Sequence, residues 1–407
     1  MIYWVWLQCA LGAGNNRYHR IISKFSTAKA LYEASSIKRI DAKIFSKREI
    51  ERMIATPLSK AEEVLKLCER EGIRVITPNS PCYPNCLKNI AIPPYALYVK
   101  GDFPNFNETP AICIVGTRAV SEYGYKCAYS LSGRLSMGGF IIVSGGAIGS
   151  DTAAHLGAML TGGKTVALLA HGFGVSYLNK NEKLREDIVR SGGCLITEFP
   201  PNTPVTKQAF HVRNRLMSAL TVGTVVVEAP FGSGSLITAA NATEQGKDVF
   251  VIPGQPGLEN YEGSNELLRD GAKPVLQLED IFSEYTYRLG DKISIDRAMA
   301  KPLPSYRLYV ENTEKSLKKE KKPPYKLKEA TDVNWVKKEN NEIIKKILPE
   351  NLSKNAKMLY NQLDKQIFTC DDLLSPAFDS KAIISALGEL ELFGFIKSLP
   401  GGRYSLK

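Results

Sequence analysis

The chain has 407 residues, 44% hydrophobic and 23% charged, a mixture that excludes wholesale disorder and allows two or three folded domains. Lys and Arg number 53 against 42 Asp and Glu, a formal charge of +11, which fits a polyanionic partner such as nucleic acid without establishing one. No apolar run reaches the roughly 18 to 20 residues of a membrane-spanning helix, and eight scattered cysteines point to a reducing cytosol rather than a disulfide framework.

Residues 1–75 read as helical, with apolar spacing at Ile50, Met53 and Ile54 and again at Ala61, Val64 and Leu65. The first twelve residues are apolar but lack the basic start and cleavage site of a secretory signal. Leu11-Gly-Ala-Gly-Asn-Asn-Arg-Tyr18 has the form of a helix-hairpin-helix loop, which offers backbone amides to DNA phosphates; a plain helical turn reads equally well. A proline-rich connector over 76–110 follows and contains the strand-like segment 96–101. Cys82 and Cys86 are spaced CxxxC within it, but no second Cys or His pair lies nearby to complete a metal site, so none is expected.

Over 111–284 the pattern changes to short apolar runs at 111–115, 140–144, 165–170, 194–197, 224–228 and 248–252. Each is rich in Val and Ile and is followed by Gly, Ser, Asp or Asn opening a helical stretch. Strands without polar alternation are buried on both faces, so the expected fold class is α/β, an extended Rossmann-like parallel sheet between helices. Ligands of such sheets bind at the carboxyl ends of the strands. A basic linker is expected over 285–350, where Lys318-Lys-Glu-Lys-Lys-Pro-Pro324 cannot build a core. Three short helical patterns and two strands around Pro400-Gly401-Gly402 then read as a winged helix over 351–407.

The clearest ligand signal is Phe140-Ile-Ile-Val-Ser-Gly-Gly-Ala-Ile-Gly-Ser-Asp151. A buried strand ends at Ser144, and Gly145-Gly146-Ala147 lets backbone amides approach an anion at a helix N-terminus. The loop from Glu228 to Ser235 repeats that logic with Ser233 and Gly234. Phe210-His-Val-Arg-Asn-Arg215 sets Arg213, Asn214 and Arg215 beside an aromatic, a combination suited to gripping phosphate and stacking on bases. Arg118 follows the first parallel strand on the same edge. Gly162-Gly163-Lys164-Thr165 imitates a Walker loop, yet Ala158 stands where a glycine is needed and Lys164 precedes a strand. Gly172-Phe-Gly174 and Gly232-Ser-Gly234 lack the third glycine of a dinucleotide fingerprint. His155 reads as a packing histidine, and no nucleophile elbow is present. These features favour binding over catalysis, and no cofactor is expected.

Taken in order, Val115-Gly-Thr-Arg118, Ser144-Gly-Gly-Ala-Ile-Gly-Ser-Asp151, Thr197-Glu-Phe-Pro200, Phe210-His-Val-Arg-Asn-Arg215, Gly232-Ser-Gly-Ser-Leu-Ile-Thr-Ala239, Val249-Phe-Val-Ile-Pro-Gly254 and Gly263-Ser-Asn-Glu-Leu-Leu-Arg-Asp-Gly-Ala272 resemble the DNA-processing protein A (DprA/Smf) family over nearly the whole chain. The resemblance implies a sterile-alpha-motif-like helical domain, an extended Rossmann domain and a C-terminal winged helix. It implies a cytoplasmic homodimer that binds single-stranded DNA, protects incoming DNA and loads the RecA recombinase in natural transformation. Family-type DNA contacts would fall on Arg118, on Ser144, Gly145, Gly146 and Ala147, on Asn179, Lys180 and Asn181, and on Phe210, Arg213 and Arg215. Two departures are Ser150, where Ile or a similar residue often precedes the Asp, and Leu178-Asn179 in place of a frequent Pro-Lys pair. Two other functions are weighed against this one. A nucleotide-processing enzyme of the phosphoribohydrolase type would need an acid where Ile237 and Thr238 stand, with Glu228 the residual candidate. A duplex-binding regulator would need a basic recognition helix, whereas 380–393 sets Lys381 against Glu389 and Glu391.

Overall fold

The computed structural model describes residues 1–305, 349, 352–363, 367–369, 373, 380–399 and 403–406. The described residues up to 305 form one compact unit and those from 349 onward form a second. No helix among them is long and apolar enough to cross a membrane.

Six helices open the chain: α1 (Ile2–Leu11), α2 (Tyr18–Phe25), α3 (Ala28–Glu33), α4 (Ser36–Asp41), α5 (Lys47–Ala55) and α6 (Leu58–Arg70). Thr27, Ser35 and Ser46 start three of them by accepting a hydrogen bond from the amide three residues on, and Glu49 in turn accepts one from Ser46 N, completing a capping box. α1 is apolar on most sides because it lies inside the unit, with Trp4, Val5, Trp6 and Leu7 all buried. The loop after it is partly exposed, yet it uses several of its amides inside the chain rather than leaving them for a phosphate. Gly14 N donates to Glu198 Oε1 at 2.9 Å, the Tyr95 hydroxyl donates to Asn15 Oδ1 at 2.9 Å, and a Cβ on Gly14 would collide with Val212. The amides of Gly12, Gly14 and Arg17 are all donated within the chain.

The next elements are β1 (Arg74–Ile76), α7 (Asn85–Lys88) and β2 (Leu97–Gly101). Strands and helices then alternate: β3 (Ala111–Val115), α8 (Glu122–Met137), β4 (Ile141–Ser144), α9 (Ser150–Leu160), β5 (Thr165–Leu169), α10 (Glu182–Arg190), β6 (Cys194–Thr197), α11 (Lys207–Ala219), β7 (Gly223–Val226), α12 (Gly234–Glu244), β8 (Asp248–Val251), α13 (Glu262–Arg269), β9 (Lys273–Pro274), α14 (Glu279–Leu289) and α15 (Ile295–Met299). The six apolar runs expected as strands are β3 to β8. They join one nine-stranded sheet in the order β1-β2-β6-β5-β4-β3-β7-β8-β9. The β1–β2 and β2–β6 pairs are antiparallel and all others parallel, a mixed α/β fold dominated by its parallel strands. The segment read as a connector therefore adds β2 to the sheet.

Both faces of the sheet are covered. Ile112, Ile114 and Ile142 share a core with Leu135 of α8, Leu156 of α9 and the tryptophans of α1. Their neighbours Cys113, Val143 and Val166 face Leu216 and Met217 of α11 and Ala239 of α12. Order continues past the expected domain end at 284. α14 runs to Leu289, and α15 packs back on α8, where Arg134 Nη1 donates to Ala298 O at 2.9 Å and Lys301 O at 2.8 Å. Beyond residue 305 the expected linker, including the Lys318–Pro324 charge run, lies outside the described residues apart from Pro349.

In the second unit, α16 (Lys354–Gln362), β10 (Ile367–Thr369), α17 (Ser380–Leu392), β11 (Ile396–Leu399) and β12 (Arg403–Leu406) form two helices and a three-stranded antiparallel sheet ordered β10-β12-β11. Leu359, Tyr360, Leu387, Leu390 and Phe395 make its core. The Pro400-Gly401-Gly402 turn lies outside the described residues.

Candidate nucleic-acid interface

From β3 the chain winds outward through β4, β5 and β6; from β7, on the other side of β3, it winds outward through β8 and β9. Order therefore reverses between β3 and β7, and connections leaving in opposite directions open a crevice at the strands' carboxyl ends. That crevice is a cleft of about 390 Å³. Its walls are residues 115–118 after β3, the cleft-facing side of α11 from Phe210 to Met217, and residues 230–235 leading into α12.

Arg118 is exposed on the rim, its guanidinium 5.6 Å from the Phe210 ring centroid and its Nη2 3.4 Å from the Tyr177 hydroxyl. Tyr177 lies 5.9 Å from Phe210 and 5.7 Å from His171, centroid to centroid. A cation and three rings are thus gathered from three separate segments: the β3–α8 loop, the β5–α10 loop and α11. The backbone under Arg118 is held closely: Thr117 N donates to Glu228 O at 2.7 Å, and Ser150 Oγ donates to Thr117 O at 3.1 Å. Gly149, at φ +84°, makes that approach possible, because a Cβ there would strike the carbonyls of Thr117 and Arg118.

The loop 144–147 is buried, with Ser144 Oγ donating to Ile114 O at 2.6 Å. The amides of Gly145 and Ala147 do not stand open for phosphate. Ala147 N donates to Asp151 Oδ2 at 3.2 Å, so the chain's own carboxylate fills the turn. Burial raises the Asp151 pKa, opposed by the Arg213 guanidinium and by the amides of Ala147 and Gly145. Asn181, also buried, donates through Nδ2 to Gly146 O at 3.2 Å and to Thr152 Oγ1 at 3.1 Å, fastening the loop to the segment that carries Asn179 and Lys180. Asn179 and Lys180 themselves are exposed.

Arg213 forms part of the cleft floor. It is 7% exposed, donates through Nη1 to Leu168 O at 3.0 Å, lies 5.9 Å from the Phe210 centroid, and its buried Nε has no partner. Asn214 Nδ2 donates to Gly234 O at 3.1 Å, tying α11 to the first turn of α12. Ser233 caps α12 through its hydroxyl, with Ser235 N as donor. The helix opens into the cleft there, an electropositive end suited to phosphate. Arg215 corrects the expectation that the whole 213–215 cluster serves one site. Successive residues of a helix turn by about 100°, so Arg215 points away from Arg213 and forms a buried ion pair with Glu198.

Two other candidates are structural. Glu228, the residual catalytic acid, is fully buried outside the cleft lining and accepts from Ser121 N at 2.9 Å and from the Tyr261 hydroxyl, fixing the start of α8. His155 is buried between α9 and β5, with Nδ1 2.7 Å from Thr165 Oγ1. Thr165 gives its one hydroxyl proton to Ile142 O at 3.0 Å. The histidine Nδ1–H must therefore be the donor, which leaves the buried Nε2 bare. Tyr177 and Phe231, both on the site's rim, were not singled out in the sequence as contacts. An aromatic inside a Gly-rich loop was the available signal for Phe231.

A family model described as DNA recombination-mediator protein A matches residues 74–286, just over half the chain. The DNA processing protein DprA of Bacillus subtilis is 37% identical over 242 residues, covering 60% of this chain and 80% of that protein. DprA of Streptococcus pneumoniae is 38% identical over 208 residues, 51% of this chain and 72% of the relative. The X-ray structure of DprA from Streptococcus pneumoniae aligns with a TM-score of 0.61 at 29% identity, covering 70% of this chain and 98% of that one. On this likeness of sequence and fold, the chain belongs to the DNA recombination-mediator protein A family.

Proposed function

We propose that this protein binds single-stranded DNA without base specificity, protects it, and passes it to the RecA recombinase during recombination and natural transformation. The observation that carries the reading is the Arg118–Phe210–Tyr177 cluster at the mouth of the switch-point cleft. An unpaired strand offers phosphates to cations and open base faces to aromatic rings, whereas a duplex hides those faces by stacking. Arg118, Asn179, Lys180, Phe210, Asn214, Ser233 and Gly234 are the proposed contacts. Arg213 supports the cluster from below, and Ser144, Gly145, Gly146, Ala147 and Asn181 form the scaffold that holds it. Arg215 serves the fold.

The role is binding without nucleotide chemistry, because Glu228 is committed to the start of α8. The helix, strand, helix and hairpin order of the second unit supports a winged helix. Its α17 acids are engaged locally, Glu389 accepting from Ser353 N at 2.7 Å and Glu391 from Ser398 N at 2.8 Å, which favours a protein-contact role over duplex reading. Family membership is the ground for the homodimer, the cytoplasmic location and the RecA partnership. The test is a fluorescence anisotropy titration with an oligothymidine strand, then with a duplex, each with and without RecA. Preference for the strand and faster RecA filament assembly support the proposal; equal affinity for the duplex, or no effect on assembly, overturns the corresponding part.

A further inference from the structure

Phe231 is 58% exposed, among the large apolar side chains left most open to solvent, and it lines the cleft. It sits at the head of the β7–α12 loop between Pro230 and Gly232, the latter at φ +75°. No ring contact within the chain partners it among the described residues. Phe210 belongs to the α11 side of the same cleft, and the Asn214–Gly234 hydrogen bond links the two sides. The open cleft between them, about 390 Å³, falls within the roughly 300 to 1,000 Å³ of small-ligand sites.

We infer that Phe231 is a second base-stacking platform, on which an unpaired base lies after the strand has passed the Arg118–Phe210 cluster. The inference rests on the single-strand reading above and deepens it. A large apolar face left in water gains by being covered with another flat, weakly hydrated surface. The Gly-flanked loop lets that face meet bases of any identity, so stacking adds affinity and discriminates paired from unpaired strands without reading sequence.

The experiment compares the full chain with Phe231→Ala and Phe231→Trp on two probes of equal length, oligothymidine and an abasic oligonucleotide with the same phosphates. Phe231→Ala should weaken oligothymidine binding by about five- to 150-fold, the range for losing one stacked base. It should leave abasic affinity unchanged, and Phe231→Trp should restore the first value. Because the side chain is exposed, its removal leaves the fold intact. Unchanged affinity for oligothymidine, or an equal loss on both probes, overturns the inference while the function stands. Failure of the unaltered chain to bind oligothymidine would instead overturn the function itself.

Discussion

Arg215 and Glu198 form a buried ion pair on the side of α11 turned away from Arg213. The same carboxylate accepts from Gly14 N, and the Glu198 carbonyl accepts from Gln8 Nε2. Gln8 in turn accepts from the Tyr98 hydroxyl at 3.1 Å. The helical region, β2 next to the sheet edge and the helix that carries Phe210 are therefore joined through one residue, Glu198.

Arg215→Ala should accordingly act on stability. Removing one partner leaves Glu198 buried and unpaired, a loss of roughly 3–5 kcal/mol for such pairs. Urea melts should show that loss, and the salt dependence of DNA binding by the folded fraction should match the unaltered chain. A flatter salt slope with normal stability would return Arg215 to the DNA-contacting set.

The contrast between Arg213 and Arg215 marks where sequence reasoning succeeds. The parallel strands were legible because continuous Val and Ile runs have one good solution, burial on both faces, and the ligand edge followed from it. Arg118, Phe210, Ser233 and Gly234 line the cleft at that edge. Arg215 was misplaced by treating three adjacent residues as one face, although helical spacing alone separates 213 from 215. Asp151 filling the turn of 145–147 was not legible, since nothing local states whether an amide will meet a ligand or a side chain four residues on. The role of β2 was missed for a similar reason. Its partner β6 is almost a hundred residues away, and a long-range antiparallel pairing leaves little trace in periodicity.

Arg118 offers the cleanest test of the electrostatics. It is exposed, so Arg118→Ala should leave stability within about 0.5 kcal/mol. Single-strand affinity should fall, and the slope of log K against log salt should become shallower by about 0.7, the value for one phosphate neutralised on a single strand. Titrations at four salt concentrations would measure both. Lower affinity with an unchanged slope would assign Arg118 to stacking on Phe210 alone.

Gly149→Ala separates position from charge. A Cβ at φ +84° must displace the carbonyls of Thr117 and Arg118, and overpacking of this kind costs about 1–3 kcal/mol. The Arg118 loop should move while every cation is retained. The expected outcome is weaker single-strand binding with the salt slope preserved, opposite in pattern to Arg118→Ala. Unaltered binding would show that the loop tolerates displacement and that Gly149 is needed only for α9.

His155 sets a pH dependence for the fold. Burial, followed by the charge on Arg213, lowers its pKa from 6.5 to about 3. Between those values the unfolded chain takes up a proton that the folded chain refuses, so stability falls as pH drops below about 6.5. At 1.36 kcal/mol per unit, the loss by pH 5 is roughly 2 kcal/mol. Asp151 and Glu198 act in the opposite sense. Burial raises both above ordinary carboxylates, so the folded state gains their protons first and is favoured by acid over that interval. The comparison that isolates the histidine is therefore with His155→Gln, which keeps a donor for Thr165 and cannot titrate. Urea melts at pH 7, 6 and 5 should show the unaltered chain losing about 2 kcal/mol more than the variant. Parallel losses would mean that His155 takes up its proton inside the fold, through a rearrangement that gives the bare Nε2 a partner.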